Sequence, residues 1–350
     1  MASITLDPRL LAPPETSASA EAFRAYVERL LEWSAFAKEK GSTVTISRDA
    51  QERLMEDQAF PLAVELKECL KSKGVFEYDL KTLRDFCEGF FRYEPCFQDL
   101  IEVNEILHDN SVFSPIFSHT ALLPHTSMEA EKNVVTLAIL DHCGCGIPNI
   151  GFAMQTPILA HEVSASFQLH DIEHCRTDLG TLGTLPTNIT GNVAVCSSLE
   201  DFAINCDDGV LLMNAINSDQ LRLCIKLALH RSRIQRGLDS DWDRLPNFRI
   251  GGFFHNRAQQ VAQKNIAANA GIVRAAVDTI ENLNLPEVHA LRDGEGGTAP
   301  QRVRGDFAGW RRDITREIHL HYWKGSNSLI ELGWVSHPHD DMHLPDPCGT

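Results

Sequence analysis

The residues best suited to chemistry lie near the end of the 350-residue chain. They run Arg302-Val303-Arg304, Trp310-Arg311-Arg312-Asp313 and Ile318-His319-Leu320-His321-Tyr322-Trp323. After Lys324-Gly325-Ser326-Asn327-Ser328 come Leu329 to Val335 and the run His337-Pro338-His339-Asp340-Asp341-Met342-His343. Imidazoles titrate near neutrality and serve as general acid and base. Arginine forks match phosphate oxygens, and an indole face stacks on a base. Residues 300–324 carry six basic side chains against three acidic ones, within a chain of net charge −16. A phosphate clamp (Arg304, Arg311, Arg312, Arg316), a proton-transfer set (His319, His321, His337) and a stacking ring (Trp323) suit cleavage of RNA. There the 2′-hydroxyl is the nucleophile, and this reading requires no metal and no cofactor.

Positioning these groups requires a β-hairpin around the Gly/Ser/Asn turn. Ile318, Leu320 and Tyr322 form one apolar face, and Ile330, Leu332 and Trp334 form another. Packing both sets on one side demands that even positions oppose even positions. A three-residue loop, Ser326 to Ser328, meets the demand with Gly325 opposite Leu329. His319 is then expected opposite Val335, and His337 opposite Glu317. His319, His321, Trp323, Glu331 and His337 share the other face, with His319 and His337 as diagonal neighbours.

This tail resembles the terminal part of RelE-type toxin ribonucleases. The shared pattern is a helix, a Trp-Arg-Arg stretch, a strand, a tight turn and a strand ending in a His/Asp cluster, over about 45 residues. The resemblance implies that Arg311 and Arg312 stand where that family places basic residues before the strand. His319, His321 and Tyr322 would occupy the active-site face of the strand, and His337 or His339 the terminal catalytic position. It also implies RNA or the ribosome as partner, and growth arrest or phage defence as setting. The family spends Lys and Arg where this chain has His, and its toxins are small and basic throughout. The string Leu291 to Trp323 is similar to tails of uncharacterised bacterial proteins.

Two other chemistries have residues to draw on. His319-x-His321 and His337-x-His339, with Asp340, Asp341 and His343, offer ligands for zinc, iron or manganese in a metal-dependent hydrolase. Further upstream, Asp141-His142-Cys143-Gly144-Cys145, His161 and His170-Asp171-Ile172-Glu173-His174-Cys175 contain the pattern His-x-x-Glu-His of inverted zinc proteases. That motif needs a helix. Here Leu159 to Leu169 alternates apolar and polar residues, the mark of a strand. The chain has no phosphate-loop motif and no Gly-x-Ser-x-Gly elbow.

The framework reads as α+β: a helical N-terminal domain, a β-rich middle domain, a helical segment and a C-terminal β-hairpin module. Residues 1–18, rich in Pro, Ser and Ala, read as a loose arm. Helical spacing predicts a helical domain over 19–114, with helices opening near Ser19 and over 61–73, 79–91 and 97–108. A β-rich domain follows over 115–196, with strands at 134–140, 159–169 and 193–196. The segment 197–292 is helical, with helices over 218–236 and 256–283. The glycine-rich stretch 293–297 opens the C-terminal hairpin module, 293–350.

Composition bounds the rest. Apolar residues make up 43% and charged residues 23%, an ordinary globular balance. The net charge argues against a protein that coats nucleic acid over its whole surface. Residues 51–110 hold 14 acidic and 7 basic side chains, a face suited either to solvent or to a basic protein partner. That face keeps a non-catalytic binding or regulatory subunit open as an alternative. No apolar run approaches the roughly 20 residues of a spanning helix. Ten scattered cysteines without an apolar leader read as reduced thiols of a cytoplasmic protein.

Overall fold

The computed structural model describes residues 2–15, 17–92, 95–115, 122–145, 150–154, 161–179, 185–294, 299–337 and 342–348. The protein is of the α+β class, with helices and two six-stranded sheets. It forms two compact units. The N-terminal unit comprises Ser3–Lys38 and Thr43–Asn205; the C-terminal unit comprises Met1–Ala2, Glu39–Ser42 and Cys206–Thr350.

The first sheet is assembled from β1 (Ala2–Leu6), β2 (Ser42–Thr45), β3 (Val103–Ser114), β4 (Ile150–Ala153), β5 (Glu162–His174) and β6 (Asn188–Cys196). Their order is β2-β1-β4-β6-β5-β3. β1, β4 and β6 run parallel, whereas β5 pairs antiparallel with both β6 and β3. The helices of this unit are α1 (Ala20–Lys38), α2 (Ala50–Glu56), α3 (Ala63–Ser72), α4 (Leu80–Phe90), α5 (Phe97–Ile101), α6 (Pro124–His142) and α7 (Leu199–Asn205).

Three expectations are corrected here. Residues 2–12 are not a loose arm but a buried strand and turn, fixed by an interior Asp7–Arg9 ion pair at 2.6 Å. The stretch 134–140 is helical, because α6 is buried on all sides from Asn133 to Leu140 and a continuous apolar run carries no period. The helix expected over 97–108 stops at Ile101. Glu102 there adopts a left-handed conformation, φ 56°, and the chain turns into β3. Since β3 pairs with β5, no domain boundary falls at 114/115.

α6 lies against β6 at very close range. A Cβ on Gly191 would stand 2.0 Å from the Ala138 carbonyl oxygen, so only glycine allows this approach.

The C-terminal unit contains α8 (Asp208–Asn214), α9 (Ser218–Gln235), β7 (Phe248–Ile250), α10 (Phe254–Lys264), α11 (Asn269–Ile280), β8 (Val288–Ala290), β9 (Val303–Arg304), β10 (Phe307–Asp313), β11 (His319–Gly325) and β12 (Ile330–Ser336). The sheet order is β7-β12-β11-β10-β8, with β9 on β10. The helix expected over 256–283 is broken at Asn265 into α10 and α11. β7 and β8 join the hairpin strands in one sheet, so the boundary expected at 292/293 cuts through a single unit.

Gly191→Ala is expected to force α6 and β6 apart. It should destabilise the N-terminal unit by about 3 kcal/mol, the upper range for overpacking. Thermal unfolding beside Gly252→Ala, a glycine with open space around it, measures the difference.

A candidate active face on the C-terminal sheet

The hairpin turn has the expected register: the Gly325 N–H donates to the Leu329 carbonyl, and Tyr322 opposes Leu332. Ser328 closes the three-residue loop with φ 65°. Beyond Leu332 the register changes. Gly333 is an extra residue on β12, a bulge, so His321 opposes Trp334, Leu320 opposes Val335 and His319 opposes Ser336. The expected pairings of His319 with Val335 and of His337 with Glu317 are therefore corrected. β12 ends at Ser336, and the carbonyl of His337 beyond it accepts from Arg257 Nη2 at 2.9 Å.

The bulge decides which residues share a side. Cross-strand pairing puts His289, Arg311, Asp313, His319, His321, Trp323, Glu331 and Trp334 on one face. Arg312, Leu320, Tyr322, Leu332 and Val335 occupy the other. Tyr322 is thus separated from the histidines. Its burial pushes the phenol up to about 12, with nearby Arg312 opposing the shift. Arg312 is 1% exposed and reaches α11, where it donates to Thr279 Oγ1 at 2.8 Å and to the carbonyls of Asp278, Leu283 and Asn284. It fastens a helix end and is not placed to clamp a phosphate.

On the histidine face, Asp313 is the centre of a cluster. Its Oδ1 accepts from His319 Nδ1 at 2.8 Å, its Oδ2 lies 3.3 Å from His289 Nε2, and Arg311 Nε is 3.7 Å from Oδ1. His319 is buried, while Asp313 and His289 are 38% and 48% exposed. A carboxylate that holds an imidazole by one nitrogen fixes its orientation.

The remainder of this face is covered by the segment 342–348. His321 Nδ1 donates to the His343 carbonyl at 2.7 Å, and Trp323 Nε1 to the Pro345 carbonyl at 2.7 Å. The Cys348 N–H donates to Glu331 Oε1 at 2.8 Å. Leu344 packs with Leu291 and Trp323. Trp323, fully buried, offers no stacking surface. Arg304 on β9 pairs with Asp346 at 3.0 Å and Asp293 at 3.5 Å, and Arg316 is exposed in the β10–β11 turn. His339, with Asp340 and Asp341, lies outside the described residues.

Sequence reasoning missed His289. It sits on a three-residue strand, too short to leave a periodic signal, and the glycine-rich stretch before Gln301 hides its pairing with β10. The upstream cysteines and histidines do not converge. His170 and His174 lie on the strand β5, His170 pairs with Asp109 at 2.9 Å, and Cys145 Sγ donates to the Asp178 carbonyl. Among the described residues no group of three or more acidic, His or Cys side chains is arranged to hold a metal ion. Nor is any helix among them long and apolar enough to cross a membrane.

No family model, no curated protein and no solved structure matches this chain.

Arg312→Met is expected to lower stability by about 3–5 kcal/mol, because it leaves the Thr279 hydroxyl and the carbonyls of Leu283 and Asn284, just beyond α11, without their buried donor. Arg311→Met, on the half-buried side, should cost about 1 kcal/mol or less. Urea unfolding of the two variants beside the parent chain measures the contrast.

Proposed function

We propose that the C-terminal unit cleaves RNA by general acid–base chemistry at the Asp313 cluster. The observation that carries the reading is one carboxylate contacting two imidazoles, with a guanidinium alongside, on a partly exposed face. His289 is the solvent-facing base and Asp313 its positioning residue. His319 steadies Asp313 from the interior. Arg311, with Arg316 in the neighbouring turn, draws in the phosphate. His289 takes the proton of the 2′-hydroxyl, the 2′ oxygen bonds to phosphorus, and the bond from phosphorus to the 5′ oxygen breaks. The imidazolium returns the proton to the departing 5′ oxygen. The products are a 2′,3′-cyclic phosphate and a 5′-hydroxyl.

This reading keeps the ribonuclease chemistry that the resemblance to RelE-type toxins implies, and moves its accessible base from the hairpin to β8. Growth arrest or phage defence remains the setting implied by that resemblance. Burial of His321 and Trp323 assigns them to support beneath the C-terminal segment.

A second reading draws on a different observation. Leu62, Val64 and Phe76 are 51%, 67% and 77% exposed within the acidic stretch 51–110. A regulatory subunit that docks a basic protein would use such a face.

The test incubates the full-length protein with end-labelled RNA, beside His289→Ala and Asp313→Asn. His289 is exposed, so its variant should unfold at the parent temperature. Cleavage leaving cyclic phosphate ends is expected, reduced about 100-fold or more by His289→Ala, the scale of a lost acid–base group. Equal cleavage by the parent and His289→Ala would overturn the assignment of the site, and no cleavage by either would overturn the ribonuclease reading and favour the docking one.

A further inference from the structure

The N-terminal unit holds a cavity of about 460 Å³ between α6, α5, β3 and the loop before α2. This lies within the range of small-molecule sites. Two of its lining residues are unusual. Glu129 and Asn133, one turn apart on α6, are 2% and 1% exposed. Glu129 Oε2 and Asn133 Nδ2 have no hydrogen-bond partner among the described residues. A buried polar atom left unpaired costs about 1–3 kcal/mol, so an acceptor and a donor side by side call for a ligand that supplies the complement. Residues four apart on a helix are about 5–6 Å apart at Cβ, a spacing one small molecule can bridge.

The charges around these two atoms narrow the ligand. Lys132, between them in sequence, lines the same cavity and forms no ion pair among the described residues. Asp49, Glu105 and Glu173 line it as well, Glu105 and Glu173 being exposed at its rim. Arg48, the remaining cation of the lining, is engaged with Asp99 at 2.7 Å. A carboxylate acceptor is thus buried beside an amide donor and in the field of the Lys132 ammonium, and three further acids surround them.

We propose that this cavity binds a basic α-amino acid of the arginine or lysine type. The α-ammonium group donates to Glu129. The α-carboxylate accepts from Asn133 and pairs with Lys132. The cationic side chain extends toward Asp49, Glu105 and Glu173. A purely anionic ligand would meet four carboxylates, and an apolar one would leave both interior atoms unpaired. Burial raises the Glu129 carboxyl above the usual range, with Lys132 and the adjacent Ser47 hydroxyl opposing the shift. An arriving ammonium would draw it to the ionised form.

The test is isothermal titration of the full-length protein with L-arginine, L-lysine, L-norleucine and agmatine, with thermal unfolding in parallel. Arginine or lysine should bind and raise the unfolding temperature. Norleucine, which lacks the cation, and agmatine, which lacks the carboxylate, should bind at least tenfold more weakly. Glu129→Gln should weaken arginine binding about 10- to 100-fold, the scale of a lost charged hydrogen bond. Because Glu129 is buried, Glu105→Gln at the exposed rim serves as the second variant; it should keep the parent unfolding temperature and reduce the preference for arginine over norleucine. No heat with arginine or lysine at millimolar concentration would overturn the proposal. Equal binding of norleucine or agmatine would do the same, as would arginine binding unchanged in both variants.

Discussion

One extra residue in β12 sets the character of the C-terminal unit. Gly333 shifts the hairpin register by a single position, and every pairing from His321 to His319 follows from that shift. Trp334 and Ser336 thereby join the histidine face, while Val335 turns to the side of Leu320 and Tyr322. The same glycine makes room above the sheet, since a Cβ there would stand 2.4 Å from Leu344 Cδ1. A side chain here would push aside Leu344, which packs on Trp323 within the segment that covers His321, Trp323 and Glu331.

The two sides of that sheet solve the burial of polar groups differently. On one, Arg312 satisfies the carbonyls at the end of α11 and the loop that follows. On the other, backbone groups of residues 343, 345 and 348 meet a histidine, a tryptophan and a glutamate. In each case buried polar atoms find backbone partners, which is what makes such groups tolerable away from water. Asp313, at the margin of the covered region, is the point where this polar layer opens to solvent.

Much of the framework was legible because burial there is one-sided. α3 and α4 have an apolar stripe with turn or cap residues at their ends, and β5 alternates inside and outside. The hairpin was legible from its turn residues and from the alternation of residue type, although both of its faces are buried. The rest was hidden where burial is complete or elements are short. α6 is surrounded and reads as a strand-like apolar run. β1 is five residues long, too few to show a pattern beside its prolines. In the candidate site, alternation correctly grouped His319, His321 and Trp323, and it separates Arg311 from Arg312 as it must in any strand. The covering of that face by residues 342–348 depends on a long-range return of the chain, which no local pattern encodes. His289 was hidden by the brevity of β8.

The place of β1 within the first sheet has a consequence for synthesis. This strand lies between β2 and β4, and Ser3 to Leu6 find their parallel partners only at Ile150 to Ala153. At about 5–20 residues per second on the ribosome, on the order of ten seconds separate the emergence of the two strands. During that interval an apolar strand made first has no β4 edge to join. The sheet therefore closes only after most of the N-terminal unit has been translated, so this unit depends on late ordering.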